Sequence, residues 1–275
     1  MIVCLGGGKG LSSTTRALHH MGANFGAIVT TSDNGGSTGL LRRKYNIPAV
    51  GDFRRVIDYL NTSPFSETME SRYEGHALGN LVILDLVRKL GFQKGMDEYR
   101  KAMNVKYPIY PQFTKANDLV ANVGGKKVEG ELQVDESKGR LESLNFTPEL
   151  KVNPQALKLL SAADSVVMGP GSIYTSVIPH LLPEEERRLI SKIKTRVFVL
   201  GIKNDVPIIN GYKVSDYIKT IEKFGFKPTH ILIQSPSLDI QLDTRDKRIT
   251  TCDIAQDGHM HNPLRLGEEL WKILR

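Results

Sequence analysis

Ile2-Val3-Cys4-Leu5-Gly6-Gly7-Gly8-Lys9-Gly10-Leu11-Ser12-Ser13 decides how this chain is read. An apolar run of strand length meets a glycine run, and a helical pattern follows over residues 11–21. Residues 25–31 form a second strand, rich in β-branched side chains. Strand, tight loop, helix and strand make a βαβ crossover, so the two strands are expected to be parallel. Glycines at 6, 7, 8 and 10 are entropically costly for a turn alone. They suit an anion approached closely by backbone N–H groups, at a helix N-terminus that adds its own positive end. Ser12 and Ser13 add hydroxyls there. The loop is not the nucleoside-triphosphatase phosphate loop, because no Gly-Lys-Ser/Thr follows four spacers. Nor is it the dinucleotide fingerprint, whose third glycine is replaced by Leu11.

Four further motifs lie outward from this unit. Thr30-Thr31-Ser32-Asp33-Asn34-Gly35-Gly36-Ser37-Thr38-Gly39 is a polar loop after the second strand. Asp33 stands where a Rossmann carboxylate holds ribose hydroxyls, and it is also a candidate magnesium ligand; a plain turn aspartate is the bland alternative. In Pro48-Ala49-Val50-Gly51-Asp52-Phe53-Arg54-Arg55, Asp52 is the expected N-cap of a helix over residues 53–60 and the second magnesium candidate. Arg54 and Arg55 oppose the helix dipole, which suggests that at least one serves a ligand phosphate. In Glu74-Gly75-His76-Ala77-Leu78-Gly79-Asn80-Leu81, His76 and Asn80 are expected on one helix face, four residues apart. A lone histidine is more often structural than functional, but His76 joins Asp33 and Asp52 as a catalytic candidate. Gly169-Pro170-Gly171-Ser172-Ile173-Tyr174-Thr175-Ser176 repeats the strand, glycine turn and helix N-terminus, again with hydroxyls in its first turn.

The remaining pattern is strands at 165–168, 196–200 and 229–234 and helices at 40–45, 78–90, 95–103, 154–161, 214–224 and 263–274. A turn region spans 61–66. Residues 118–146 alternate like two to four short antiparallel strands, an insertion placed at about 107–150 of a single unit covering 1–275. The fold class is α/β and Rossmann-like: a mostly parallel sheet with helices on both faces and a small antiparallel insertion. The loops after residues 5, 31 and 168 are the expected walls of one cleft.

The net charge of +7 over 275 residues admits a nucleic-acid partner, but the basic residues are dispersed and none is expected. Cys4 and Cys252 are too few for a disulfide scaffold, and Cys4 is expected as a buried thiol. No apolar run reaches the ~18 residues of a membrane span, so a cytoplasmic location is expected. His259 and His261 are expected at the surface.

Taken in order, the five motifs resemble the gluconeogenesis factor (YvcK-like) family of the CofD, or 2-phospho-L-lactate transferase, superfamily. The resemblance runs over roughly residues 1–235. It implies a Rossmann-like fold with a ligand cleft built from these loops. Family members like this one bind nucleotide sugars of the UDP-N-acetylglucosamine kind and are linked to carbon flux into the envelope and to cell shape. The transferase relatives move a phospholactyl group from a nucleotide-activated donor to a deazaflavin, with magnesium. Three departures stand out. Asp33-Asn34 replaces a pair of acids, Lys9 replaces a small hydroxyl residue, and Gly201-Ile202-Lys203-Asn204-Asp205 replaces an Asn, Thr-Gln loop.

Two functions follow as expectations. One is a non-catalytic sensor of a phosphate-bearing nucleotide or nucleotide sugar. The other is a magnesium-dependent transferase with Asp33 and Asp52 on the metal and Arg54 or Lys9 on phosphate. NAD and UDP-sugars are the ligand classes carried forward. A dinucleotide role with Asp33 on ribose ranks lower because of Leu11. A homo-oligomer and a regulated protein partner are compatible with either.

Overall fold

The computed structural model of the chain describes residues 1–61, 63–204 and 206–275. Strand β1 (Ile2–Gly6) leads into helix α1 (Gly8–His20), and β2 (Phe25–Val29) returns parallel to β1 with Gly6 beside Val29. The helix starts three residues before Leu11, inside the glycine run. Tertiary contacts described below, not propensity, fix its first turn. Helix α2 (Gly36–Tyr45) also starts earlier than residue 40. A Cβ at Gly39 would stand 1.8 Å from the Asn34 carbonyl oxygen, so this glycine lets the chain fold tightly back on the loop.

Helix α3 (Gly51–Leu60), the short α4 (Ser66–Glu70) and a hairpin of β3 (Arg72–Tyr73) and β4 (His76–Ala77) come next. Two-residue strands carry no readable period, and neither α4 nor the hairpin is apparent in the sequence. Thr62, in the expected turn region, lies outside the described residues. Helix α5 (Leu78–Leu90) has its expected bounds, closed by Gly91 at φ +83, and α6 (Phe92–Ala102) follows.

Strand β5 (Ile109–Pro111) pairs with β2 in the main sheet, so the insertion begins later than residue 107. Its sheet is β6 (Asp118–Val123), β7 (Lys126–Glu129) and β8 (Leu141–Thr147), all antiparallel. Residues 131–134, expected within the run of short antiparallel strands, lie instead in helix α7 (Glu131–Asp135).

Beyond the insertion lie α8 (Pro154–Ser161) and β9 (Ser165–Met168). The expected helix after β9 is a π-helical turn (Ile173–Val177) followed by a 3-10 turn (Ile178–Leu181). Then come α9 (Glu184–Lys192), β10 (Thr195–Val199), α10 (Val214–Lys223), β11 (His230–Gln234), β12 (Ile249–Cys252) and α11 (Pro263–Leu274).

The seven-stranded sheet is ordered β12-β11-β10-β9-β1-β2-β5, every neighbour parallel. Alternate residues of β1 serve opposite faces. Ile2 and Cys4 join a core with α1, α3, α5, α6 and α11. Val3 and Leu5 join one with α8, α9, α10 and the insertion. Helices therefore cover both faces. From β1 the chain works outward to β2 and β5. From β9, beside β1, it works outward the other way to β12. The β1/β9 boundary is a topological switch point, where connections diverge and open a crevice at the carboxyl ends. Both cysteines are free, and Cys4 is buried in the core. Among the described residues no helix is long and apolar enough to cross a membrane.

Candidate functional site

The glycine turns after β1 and β9 meet at the switch point. A Cβ on Gly10 would lie 2.1 Å from the Pro170 carbonyl oxygen, so only glycine permits this approach. Thr14 Oγ1 of α1 donates to the Gly169 carbonyl at 2.8 Å and holds the second turn against the first helix. A cavity of about 320 Å³ opens over the pair. Residues 7–10, 170–172 and 201–203, Arg55 and residues 259–261 all contribute to its walls. The third strand-end loop of this cavity thus follows β10. The loop after β2, expected as a wall, stands behind the first turn.

The first N–H groups of a helix have no intrahelical partner. In α1 the first helical bond is Leu11 N–H to the Gly7 carbonyl, 3.2 Å. Gly7, the N-cap, has no side chain to offer. The Asp52 carboxylate, from another helix, stands beside this end, and the Gly8 amide is among the groups that favour its charged form. This corrects its expected role: α3 starts at Gly51 with Val50 as N-cap, and Asp52 lies within the first turn. Arg55 Nη1 donates to Asp52 Oδ1 at 2.9 Å. Burial, then the negative charge of Asp33, push the Asp52 carboxyl up to about 6 against the opposing pull of Arg55 and the Gly8 amide. Residues 7–10 of this turn line the cavity.

Asp33 Oδ1 accepts the Gly35 N–H at 2.8 Å. A third carboxylate joins Asp33 and Asp52, and it escapes sequence reasoning. Glu131, the first residue of α7, accepts from Ser32 Oγ at 3.4 Å. Burial, then Asp33, Asp52 and Asp135, hold its carboxyl well above the usual range. The available signal was Gly130 at φ +102, where a Cβ would stand 2.1 Å from Asn34 Nδ2. Asn34, where the resemblance sets a second acid, has a fastening role. Its Oδ1 accepts from Leu132 N–H at 2.9 Å and its Nδ2 donates to Gln133 Oε1 at 2.7 Å, so it fastens α7 and does not face the cavity. At the other end of α7, Asp135 accepts from Ser172 Oγ (2.7 Å) and Thr175 Oγ1 (2.9 Å) of the second turn. Among the described residues no three His, Cys, Asp or Glu side chains form a metal-holding group.

His76 and Asn80 do come together, though not on one helix. His76 lies in β4 and Asn80 in α5, and both meet Ser37 Oγ, through His76 Nδ1 and Asn80 Nδ2, each at 3.1 Å. Other candidates point elsewhere. Arg54 is buried and ion-paired with Asp58, which also accepts from Tyr99 Oη at 2.8 Å. That leaves Arg55 as the arginine at the cleft. Leu11 is core, Gly6 is the last residue of β1, and Ser12 Oγ donates back to the Gly8 carbonyl at 3.0 Å. Tyr174 Oη lies 2.7 Å from Tyr212 Oη, away from the cavity. Gly35 caps α2 and Gly36 starts it; Gly51 starts α3 with room for no side chain, because a Cβ there would stand 2.2 Å from Thr38 Oγ1.

His261 is not a surface residue. It is buried, with Nε2 3.1 Å from the Leu200 carbonyl, and burial pushes its pKa down to about 4. His259 is exposed at the mouth, near Lys203. Asp205 lies outside the described residues.

With this geometry in hand, comparisons with known proteins agree on one family. The family model described as 2-phospho-L-lactate transferase CofD matches residues 2–261. The gluconeogenesis factor of Bacillus subtilis is 32% identical over 252 residues, covering 86% of this chain and 79% of that one. The gluconeogenesis factor of Halalkalibacterium halodurans is 33% identical over 232 residues, 80% of this chain and 72% of that one. A crystal structure of a UPF0052 family member from Bacillus halodurans superposes with a TM-score of 0.92 at 26% identity, covering 98% of each chain. The chain belongs to the CofD family, among the relatives named gluconeogenesis factors.

Proposed function

We propose that the chain is a cytoplasmic, non-catalytic sensor that holds the diphosphate of a nucleotide or UDP-sugar-like ligand between its two glycine turns. Through it the chain adjusts carbon supply to envelope precursors and cell shape. The observation that carries this reading is the Gly10–Pro170 approach, which sets both turns around one cavity at the switch point. Backbone amides of the first turn, with Lys9 and Arg55 beside them, suit phosphoryl oxygens. Lys203 and His259 then lie toward the base or sugar. The cavity is at the small end of the ~300–1,000 Å³ range of ligand sites. A thermal-shift series with UDP-sugars, NAD and GTP tests it. At a hundredfold excess over Kd a true ligand stabilises the fold by about 2.7 kcal/mol, a rise of several degrees. No shift with any of them defeats the reading.

A second reading, a transferase of phosphorus-containing groups, draws on the mutual proximity of Asp33 and Asp52. Asp33 and Asp52, with the Glu131 carboxylate close by, would suit magnesium held by one or two protein oxygens and the ligand's phosphates. The ion would offset phosphate charge during transfer. In this reading His76, against Ser37, is the residue available to handle a proton. Release of nucleoside monophosphate from an activated donor, dependent on magnesium and lost in Asp52→Asn, distinguishes the transferase from the sensor.

A further inference from the structure

Behind the first glycine turn lies a buried polar assembly with no part in the reading above. His180, in the 3-10 turn after β9, and Glu186, in α9, are both fully buried, with Nδ1 2.7 Å from Oε1. Gln112, which follows β5, donates from Nε2 to Glu186 Oε2 (2.8 Å) and to the Pro179 carbonyl (2.9 Å). Burying such a pair costs solvation, so its placement calls for a reason. On its far side His180 Nε2 lies 3.3 Å from the carbonyl oxygen of Gly6, the last residue before the turn. A carbonyl only accepts, so Nε2 carries the hydrogen and donates. The Gly6 oxygen also accepts the Thr30 N–H at 2.9 Å.

In a trans, planar peptide the carbonyl of one residue and the N–H of the next point in opposite directions. Holding the Gly6 oxygen inward therefore turns the Gly7 N–H outward, to the side where Gly7 lines the cavity. Glycine on both sides of this peptide leaves little local resistance to its rotation. We infer that His180, held by Glu186 and Gln112, is a positioning residue for the first glycine turn: it fixes the Gly6–Gly7 peptide so that the Gly7 amide faces the ligand's phosphate. The inference rests on the ligand reading proposed above, but its structural half can be tested without a ligand.

One amide reports the state of this peptide directly, and a second reports the peptide that follows it. Thr30 N–H donates to the Gly6 carbonyl and Leu11 N–H to the Gly7 carbonyl. Hydrogen exchange at both is followed in the ligand-free full chain, with UDP-N-acetylglucosamine titrated in parallel. In His180→Leu, exchange at Thr30 and Leu11 rises about tenfold, exchange in α10 and α11 stays as in the parent, and affinity falls about tenfold. His180→Gln, which keeps a side-chain N–H, recovers most of both. If His180→Leu does not fold, Glu186→Gln carries the test, because it keeps the size and removes the charge that anchors the imidazole. Unchanged exchange at Thr30 and Leu11 in the folded variant overturns the inference. If the parent binds none of the UDP-sugars, NAD and GTP while the variant still shows the exchange change, the ligand reading fails and the clamp stands.

Discussion

A methyl group on Gly10 has nowhere to go, because the Pro170 carbonyl oxygen already stands 2.1 Å from its position. Gly10→Ala must push two sheet-end turns apart and is expected to cost about 1–3 kcal/mol in denaturant unfolding, as overpacking does. A cost near zero would mean that the turns are loosely apposed. At His261 the prediction concerns pH. Burial lowers its folded pKa to about 4 from the ordinary 6.5, so the neutral ring contributes stability that is complete above 6.5 and lost as pH falls toward 4. The stability difference between the parent and His261→Gln should shrink by about 3 kcal/mol over that window. A difference independent of pH would show that the ring is not held neutral by burial. At this scale the sequence was only partly legible. The glycines, Asp33, Asp52 and Arg55 could be picked out by type and spacing. The approach of Asp52 to the head of α1 could not, because nothing in a linear chain says that residues 8 and 52 lie together. Arg54 and Arg55 looked alike until packing against Asp58 separated them.

Elements with a full period were readable. β1, α1, β2, α5, α8, α10 and α11 each show enough apolar repeats to declare their type. The two-residue hairpin strands and β12 do not. The π-helical turn after β9 looked like an ordinary helix, because hydrogen-bond register leaves no mark on residue spacing. α7 was misread because Glu131-Leu132-Gln133-Val134 alternates as a strand would. Its helical turn depends on Asn34 and the second glycine turn. The prediction at this scale follows. Asp135→Ala removes the acceptor shared by Ser172 and Thr175, so hydrogen exchange over residues 131–137 should rise. Stability should fall by about 1.5–3 kcal/mol, the range for hydrogen bonds to a charged group. Unchanged exchange there would mean that α7 is held from the insertion side alone.

For the whole molecule, strand order is what brings the first and the last of the five motifs, with Arg55 of the third, to one cavity. The diverging paths from β1 and β9 bring residues 7–10 and 170–172 together although some 160 positions separate them in the chain. Sequence patterning pointed to a doubly covered parallel sheet. It did not reveal that the loop after β10 and the segment around His261 close the cavity, since that follows from which strands are neighbours. The account's central claim is that the main-chain amides of the first turn receive a phosphoryl oxygen. Titrating UDP-N-acetylglucosamine into ¹⁵N-labelled protein examines those amides one by one. The prediction is a saturable shift of the Gly7, Lys9 and Gly10 resonances, abolished by Gly8→Asp, whose carboxylate would occupy the same corner. Binding that leaves these three amides unmoved, or that survives Gly8→Asp unchanged, would contradict it.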